Sequence, residues 1–167
     1  ASTPFIFTSN IPPILLALIF IGVNFLSVRY HLFKGMEETR RETYGTVFFP
    51  IAYLILVILC WERYQEILVI SILVMTLADT AAALVGKRYG AHPYQLTRER
   101  KSVEGTVAMF IVTVLVMFFS LMVSSKHSIA EELWTALVVG VIATVVESLS
   151  SYGSDNLTVP ISVSFVL

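Results

Sequence analysis

Long runs of uncharged, apolar residues dominate this chain and restrict what it can fold into. Five such runs have 18 to 21 residues each, and Asp79 and Glu147 are the only charged residues inside them. Each run is long enough to cross the roughly 30 Å hydrocarbon core of a bilayer as a helix. The runs cover residues 11–28, 43–61, 67–86, 105–125 and 133–151.

The composition agrees with a membrane protein, because 56% of the residues are hydrophobic and only 14% are charged. A further apolar run at 157–167 has 11 residues and would cross only about half of the bilayer. We therefore predict an all-α, polytopic transmembrane helical bundle of about six spans, with the last span incomplete at 157–167. Residues 1–9 lack a basic segment before the first run, so we do not expect a signal peptide.

The charges between the runs orient the predicted bundle. The loops after the first and third spans hold four and five Lys and Arg residues, whereas those after the second and fourth hold one each. Cytoplasmic loops carry the excess of Lys and Arg, so the basic loops are expected on the cytoplasmic side. The charged connector at 29–42 is predicted to lie at that interface.

Asp79 is the first candidate for a functional residue, because an ionisable side chain inside a spanning helix is costly and usually faces protein or water. Five cations follow it before residue 102, namely Lys87, Arg88, Arg98, Arg100 and Lys101. A carboxylate beside several cations fits an anionic substrate held with a divalent metal, as in a nucleotide site. A buried acid that is hydrogen-bonded to a neighbouring helix is the structural alternative.

The segment 86–105 carries further phosphate-binding candidates. Gly86 and Gly90 would let backbone N–H groups approach phosphate oxygens, although a helix C-cap glycine is also common. Ser102 is predicted to cap the fourth span, whose positive N-terminus could face a phosphate together with Lys101. Glu104 either holds metal or pairs with Lys101.

Glu147 is the second buried acid, and it is predicted to act as a base or a ligand. Asp79 lies eight residues before Lys87, and Glu147 lies eight residues before Asp155. We therefore expect both acids at a similar depth in one polar pocket. Asp155 and Asn156 follow in a turn that could also be an ordinary helix start.

Three ordered motifs give a family resemblance: DTAAALVGKRYG at 79–90, KSVEGT at 101–106 and VESLSSYGSDNLTVP at 146–160, with GTVFFP at 45–50 as a weaker fourth. Over residues 44–160 the chain resembles the CTP-dependent lipid-alcohol kinases, which include phytol kinase, dolichol kinase and fungal diacylglycerol kinase. The first two motifs also resemble CDP-diacylglycerol synthase, whereas DNLTVP is similar to the kinases. The chain departs from the kinases at Ser154, where a second acid often precedes the aspartate.

The resemblance implies roles for individual residues. Asp79 would bind Mg²⁺, and Lys87, Arg88 and Lys101 would contact the phosphates of CTP. Glu104, Glu147, Asp155 and Asn156 would complete the metal and acceptor site. Which of Glu147 and Asp155 acts on the acceptor hydroxyl stays open.

The sequence thus predicts a single membrane-embedded catalytic domain over residues 1–167 that transfers the γ-phosphoryl group of CTP to a lipid alcohol. Its expected partners are CTP, Mg²⁺, the lipid alcohol and the bilayer, with no nucleic acid. The active site is expected to face the cytoplasmic side. A phosphatidate cytidylyltransferase is one alternative, and a small-solute or ion transporter that uses Asp79 and Glu147 as cation sites is another.

Overall fold

Eight helices form the fold of this chain in a computed structural model, which describes residues 3–30, 44–124 and 128–167. The helices are α1 (Thr3–Ile6), α2 (Ile11–Tyr30), α3 (Gly45–Cys60), α4 (Gln65–Val74), α5 (Thr80–Tyr89), α6 (Val103–Ser124), α7 (Ile129–Leu149) and α8 (Asp155–Val166). A two-stranded antiparallel ladder joins β1 (Pro93–Tyr94) to β2 (Lys101–Ser102). Most of the connector predicted at 29–42, together with Lys126, lies outside the described residues.

The third span is one continuous helix of 25 residues, Gln65–Tyr89, although its middle turn is wider than an α-helical turn. Residues Met75–Asp79 form a π-helical turn between α4 and α5, and Asp79 is its last residue. Wide turns of this kind are rare in proteins overall, but those that occur are often found at functional sites. The apolar pattern predicted the helix but not its wide turn.

The predicted all-α membrane bundle is confirmed, with a helix at each of the six predicted positions. Within the described residues, four helices are long and apolar enough to cross a membrane: Ile11–Tyr30, Gln65–Tyr89, Val103–Val123 and Ile129–Leu149. α3 is shorter, with 16 residues. α8 has 12 residues, which corresponds to about 18 Å of helix.

Small residues bring the central helices close together. α6 packs against α7 on one side and against α5 on the other, while α8 lies against α3, α7 and α4. The main core joins Ala78 and Ala82 of the third span to Met109 of α6 and Ala143 of α7. α2 packs on α3, and its other faces are apolar and exposed, as expected for a helix in contact with lipid.

Pro50 lies inside α3, where it lacks the N–H group that would bond to the carbonyl of Thr46, four residues earlier. Asn24 of α2 supplies the missing donor, because its Nδ2 lies 2.7 Å from the Thr46 carbonyl oxygen. The first and second spans are thereby joined at a defined register by a hydrogen bond inside the apolar region.

Candidate functional site

A cavity of about 670 Å³ lies where the cytoplasmic ends predicted for the third, fourth and fifth spans meet the start of α8. Eight predicted site residues line it: Asp79, Gly86, Lys87, Gly90, Lys101, Ser102, Glu147 and Asp155. Arg88, Glu104 and Asn156 are not among the lining residues. The cavity also contains Arg100, one of the five cations that follow Asp79, and Glu99, to which the sequence assigned no role at the site.

Asp79 shares this cavity with two other acids, Glu147 and Asp155, and with Lys101. It is close enough to Asp155 and Glu147 for electrostatic repulsion, and close enough to Lys101 for attraction. The π-helical turn that ends at Asp79 changes the helical register immediately before this residue. The third and fifth spans and α8 therefore bring three acids to one cavity.

The depth predicted for these acids is only partly right. α7 ends at Leu149, so Glu147 lies within the last turn of its helix. Asp79 lies ten residues before Tyr89, where the third span ends, or about 15 Å along the helix axis. The two acids nevertheless share the cavity because the third span extends beyond the end of α7.

Two glycines, Gly90 and Gly105, allow the end of the third span to pack closely against Ser102 and the start of α6. A Cβ atom at Gly105 would lie 2.9 Å from the Ala82 carbonyl oxygen, and one at Gly90 would lie 2.9 Å from Cβ of Ser102 and collide with the Gly86 carbonyl. Gly90 has a φ of −66°, so it is needed for close packing rather than for left-handed geometry. Its N–H donates to the Gly86 carbonyl oxygen at 3.1 Å, as in the predicted helix C-cap.

Ser102 connects the short strand to α6. Its Oγ accepts a hydrogen bond from the Gly105 N–H at 3.1 Å, which confirms the predicted cap of the fourth span. Strand pairing of Pro93 with Ser102 and of Tyr94 with Lys101 fixes the register of the preceding loop. The loop is therefore held at both ends beside the cavity.

Lys101 and Glu147 form an ion pair at the cavity wall. The Lys101 Nζ lies 2.7 Å from Glu147 Oε1 and also donates to the backbone carbonyl oxygen of Glu147. The side chains of Lys101 and Glu147 are 13% and 9% exposed. The other carboxylate oxygen, Oε2, is buried and has no hydrogen-bond partner among the described residues. This arrangement leaves one acceptor atom free on a buried acid.

The turn between α7 and α8 places Asp155 at the cavity. Tyr152 and Gly153 both have positive φ, at 58° and 79°, so the chain reverses direction within two residues. The Tyr44 N–H donates to the Tyr152 carbonyl oxygen at 3.1 Å. A Cβ at Gly45 would lie 2.6 Å from Nδ2 of Asn156, so Asn156 packs against the start of α3.

The basic loop is fastened to this turn, which the sequence did not predict. Arg98 Nη1 donates to the Tyr152 hydroxyl at 2.8 Å, and Glu99 Oε1 accepts from the Tyr152 N–H at 2.7 Å. The hydrogen bond from Arg98 to the Tyr152 hydroxyl raises the pKa of the guanidinium above its ordinary value. The Tyr94 hydroxyl lies 2.6 Å from Thr106 Oγ1 and 3.1 Å from Ser148 Oγ. No local sequence pattern indicates the contacts of Arg98, Glu99 and Tyr94 with Tyr152 and Ser148, because 53 or 54 residues separate the partners.

Glu104 and Arg88 lie apart from the cavity lining. The Glu104 carboxylate accepts from the His92 N–H at 3.3 Å, and its Oε1 lies 2.7 Å from His92 Nδ1. Glu104 is thus paired with neither a second acid nor Lys101. The Arg88 guanidinium lies 5.5 Å from the centre of the Tyr89 ring on the exposed end of the third span.

The acids in the cavity match the coordination habits of Mg²⁺. Over residues 3–30, 44–124 and 128–167, no three His, Cys, Asp or Glu side chains converge to hold a metal ion by themselves. Mg²⁺ is commonly bound through one or two carboxylates and takes its other ligands from water and substrate phosphates. Asp79, Asp155 and the unpartnered Oε2 of Glu147 are oxygen donors of this type, so the residues fit a Mg²⁺ ion that arrives with a nucleotide.

Comparison with known proteins agrees with the family resemblance that the motifs indicate. The model of the cytidylyltransferase family matches residues 2–150. The phytol kinase of Synechocystis is 36% identical over 146 residues, which cover 87% of this chain and 62% of that protein. The CTP-dependent diacylglycerol kinase 1 of Schizosaccharomyces pombe is 27% identical over 134 residues, covering 75% of this chain and 60% of that protein.

The chain spans less than two thirds of the length of these curated relatives. No solved structure gives a significant match. The matched region contains the third, fourth and fifth spans, with Asp79, Lys101 and Glu147. The chain therefore belongs to the cytidylyltransferase family, and its relatives there include a phytol kinase and a CTP-dependent diacylglycerol kinase.

Proposed function

We propose that this chain transfers the γ-phosphoryl group of CTP to the hydroxyl group of a membrane lipid alcohol, either of the phytol or polyprenol type or diacylglycerol. The observation that carries the proposal is the single cavity in which the basic, glycine-bounded end of the third span meets Glu147 and Asp155. Phosphoryl transfer depends mainly on positioning and on neutralising charge. A cavity lined by cations and acids supports both needs.

The donor half of the proposed site is formed by the end of the third span and the loop beside it. Lys87 lines the cavity at its basic end, where it would contact phosphate oxygens. Gly86, Gly90 and Ser102 line the same wall, where a Cβ atom on either glycine would lie 3.0 Å from Ser102 Oγ. Arg88 would assist from the exposed end of the helix.

Asp79, with Asp155, would hold the Mg²⁺ ion, which supplies charge neutralisation to the phosphate oxygens. Glu104 is the other predicted ligand, and it would have to release His92 to reach a metal. The two cavity acids lie on different helices, the third span and α8. The metal site is therefore proposed to depend on how these helices pack.

The acceptor half is proposed to lie at Glu147, Asp155 and Asn156. The hydroxyl oxygen of the acceptor would form a bond to the γ-phosphorus as the bond to the β–γ bridging oxygen breaks and its electron pair leaves with CDP. The hydroxyl proton would pass to Glu147 Oε2, the carboxylate oxygen without a partner, with Asp155 as the alternative. Asn156 would support this side from its contact with α3.

Two observations support a lipid acceptor and a cytoplasmic site. Ala83 gives the cavity an exposed apolar surface, against which the chain of a lipid acceptor that enters laterally between spans could lie. Lys87, Arg98 and Arg100 are on the cavity side, whereas Arg63 follows α3 at the opposite end. The excess of cations at the cavity supports a cytoplasmic orientation.

Labelled CTP tests this proposal in proteoliposomes that contain the full chain and a panel of lipid alcohols, with ATP as a control donor. Label from the γ-phosphate on the lipid is the expected result. Label from the α-phosphate on the lipid would instead identify a cytidylyltransferase that makes CDP-diacylglycerol. Solute flux without any use of CTP would identify a transporter.

A further inference from the structure

The adjacent cations Arg100 and Lys101 both line the cavity, but only Lys101 has a partner there. Lys101 belongs to β2 and its Nζ binds Glu147, whereas Arg100 precedes the strand and is exposed. Both side chains line the cavity. Within the described residues, the side chains of Arg100 and Lys87 have neither a hydrogen bond nor an ion pair, so their charges are available to a ligand.

The positive charge of Lys101 is paired with Glu147, on the acceptor side of the proposed site. It binds both the carboxylate and the main-chain carbonyl of Glu147, and that carbonyl belongs to the last turn of α7. A cation at a helix C-terminus is favourable because the unpaired carbonyl groups there are partially negative. A move by Lys101 to a phosphate would leave a buried carboxylate without its counter-charge, which is strongly unfavourable.

The same contacts determine which oxygen of Glu147 is free. Lys101 holds Oε1, and Oε2 is left buried without a partner in the cavity wall. A carboxylate held through one oxygen and through its own main chain has a fixed orientation. Its free oxygen is therefore held at one place beside the cavity that Glu147 lines.

We infer that Lys101 is a positioning residue that acts through Glu147, and that Arg100, together with Lys87, supplies the phosphate contacts otherwise assigned to Lys101. This inference rests on the proposed function, because it divides the work between the donor and acceptor halves of that site. Lys101 fixes Glu147 so that Oε2 meets the acceptor hydroxyl, and Arg100 binds the nucleotide.

Matched substitutions at the neighbouring positions separate these two roles. Arg100→Met and Lys101→Met each remove one positive charge from the cavity. Arg100→Met is expected to raise the KM for CTP and the Kd of a non-hydrolysable CTP analogue by about 10-fold or more, as for a lost charge-assisted contact. Lys101→Met is expected to lower kcat on the order of 100-fold, with the KM and Kd changed less than about 3-fold.

A double-substitution cycle removes the ambiguity that arises if Lys101→Met alone does not fold. Glu147→Gln replaces the carboxylate with a neutral amide, so losing Lys101 no longer leaves a buried charge unpaired. The double variant Glu147→Gln with Lys101→Met is then compared with Glu147→Gln alone. Adding Lys101→Met to Glu147→Gln is expected to change kcat and analogue binding by less than about 3-fold, because the two residues act as one unit. Size-exclusion chromatography and thermal unfolding in detergent verify that each variant is folded.

The outcomes distinguish the inference from the function on which it rests. Equal weakening of analogue binding by Lys101→Met and Arg100→Met, present also in the Glu147→Gln background, would overturn the inference while leaving the kinase assignment intact. A wild-type chain that binds the analogue but places no γ-label on any lipid alcohol would overturn the proposed function. Unchanged analogue binding in Arg100→Met would show that Arg100 does not bind the nucleotide, and would overturn that part of the inference.

Discussion

Asn24 of the first span donates a 2.7 Å hydrogen bond to the carbonyl oxygen of Thr46, which Pro50 leaves without its usual donor in the second span. A proline in a spanning helix is tolerated when a neighbouring helix satisfies the freed carbonyl. The side chain of Asn24 and the proline are therefore one structural feature. It anchors α2, a helix that is otherwise exposed to lipid.

Replacing Asn24 with Leu should lower the stability of the bundle by about 1 kcal/mol, the usual scale of an interhelical hydrogen bond in a membrane protein. Unfolding in detergent, followed by circular dichroism against a denaturant series, measures the loss. Pro50→Ala is the matched background, since alanine restores the N–H that bonds to the Thr46 carbonyl. The cost of Asn24→Leu should shrink there, and an equal cost in both backgrounds would contradict this explanation.

Gly105→Ala should disrupt the contact between α6 and the third span. The new methyl group would lie 2.9 Å from the Ala82 carbonyl oxygen and 3.3 Å from Cα of Gly86, so backbone atoms would have to move. We expect a loss of about 1–3 kcal/mol of stability, as for other overpacked sites, and lower activity with CTP.

Gly22→Ala is the control for that substitution, because it lies in α2 with no heavy atom within 4 Å of the added Cβ. It should retain full activity and stability. Equal damage from Gly22→Ala and Gly105→Ala would show that the loss reflects helix composition rather than the close approach of two helices.

Asp79→Asn should abolish phosphoryl transfer while the protein remains folded in detergent, because the amide keeps the size of the side chain and removes its charge. Turnover of γ-labelled CTP is the measurement, with elution volume and thermal unfolding as the tests of folding. Glu62→Gln makes the same change of charge at an exposed turn after α3 and should have no effect. Full turnover in Asp79→Asn would exclude the role assigned to this acid.

The role of Glu104 can be determined by comparing the effect of its substitution with the effect of a substitution at His92. If the Glu104 carboxylate serves mainly to hold His92 and its loop, Glu104→Gln and His92→Ala should lower activity to a similar extent and should not add when combined. The Mg²⁺ concentration needed for half-maximal activity should stay the same in both, which is the result we expect from the 2.7 Å contact. A higher Mg²⁺ requirement in Glu104→Gln alone would identify this residue as a metal ligand.

The positions of the spans and most of the cavity residues were predictable because they depend on local properties. An apolar run of 18 to 21 residues has few folds open to it in a bilayer, since its backbone groups must bond internally. Asp79 and Glu147 stood out for the same reason, as charges in such runs are costly. The glycines and cations after Asp79 completed a recognisable motif.

What only the tertiary structure decided is which partners these residues have. Lys101 forms an ion pair with Glu147, which is 46 residues away in the sequence. Tyr152 is hydrogen-bonded to the loop residues Arg98 and Glu99, which are more than 50 residues away. A sequence lists charges without their distances, so Lys101 was predicted to contact phosphates in the same way as Lys87, and Glu104 looked available for metal. The sequence determined a membrane bundle with acids and cations at one end, and the packing of helices decided how the charges are divided between a nucleotide and its acceptor.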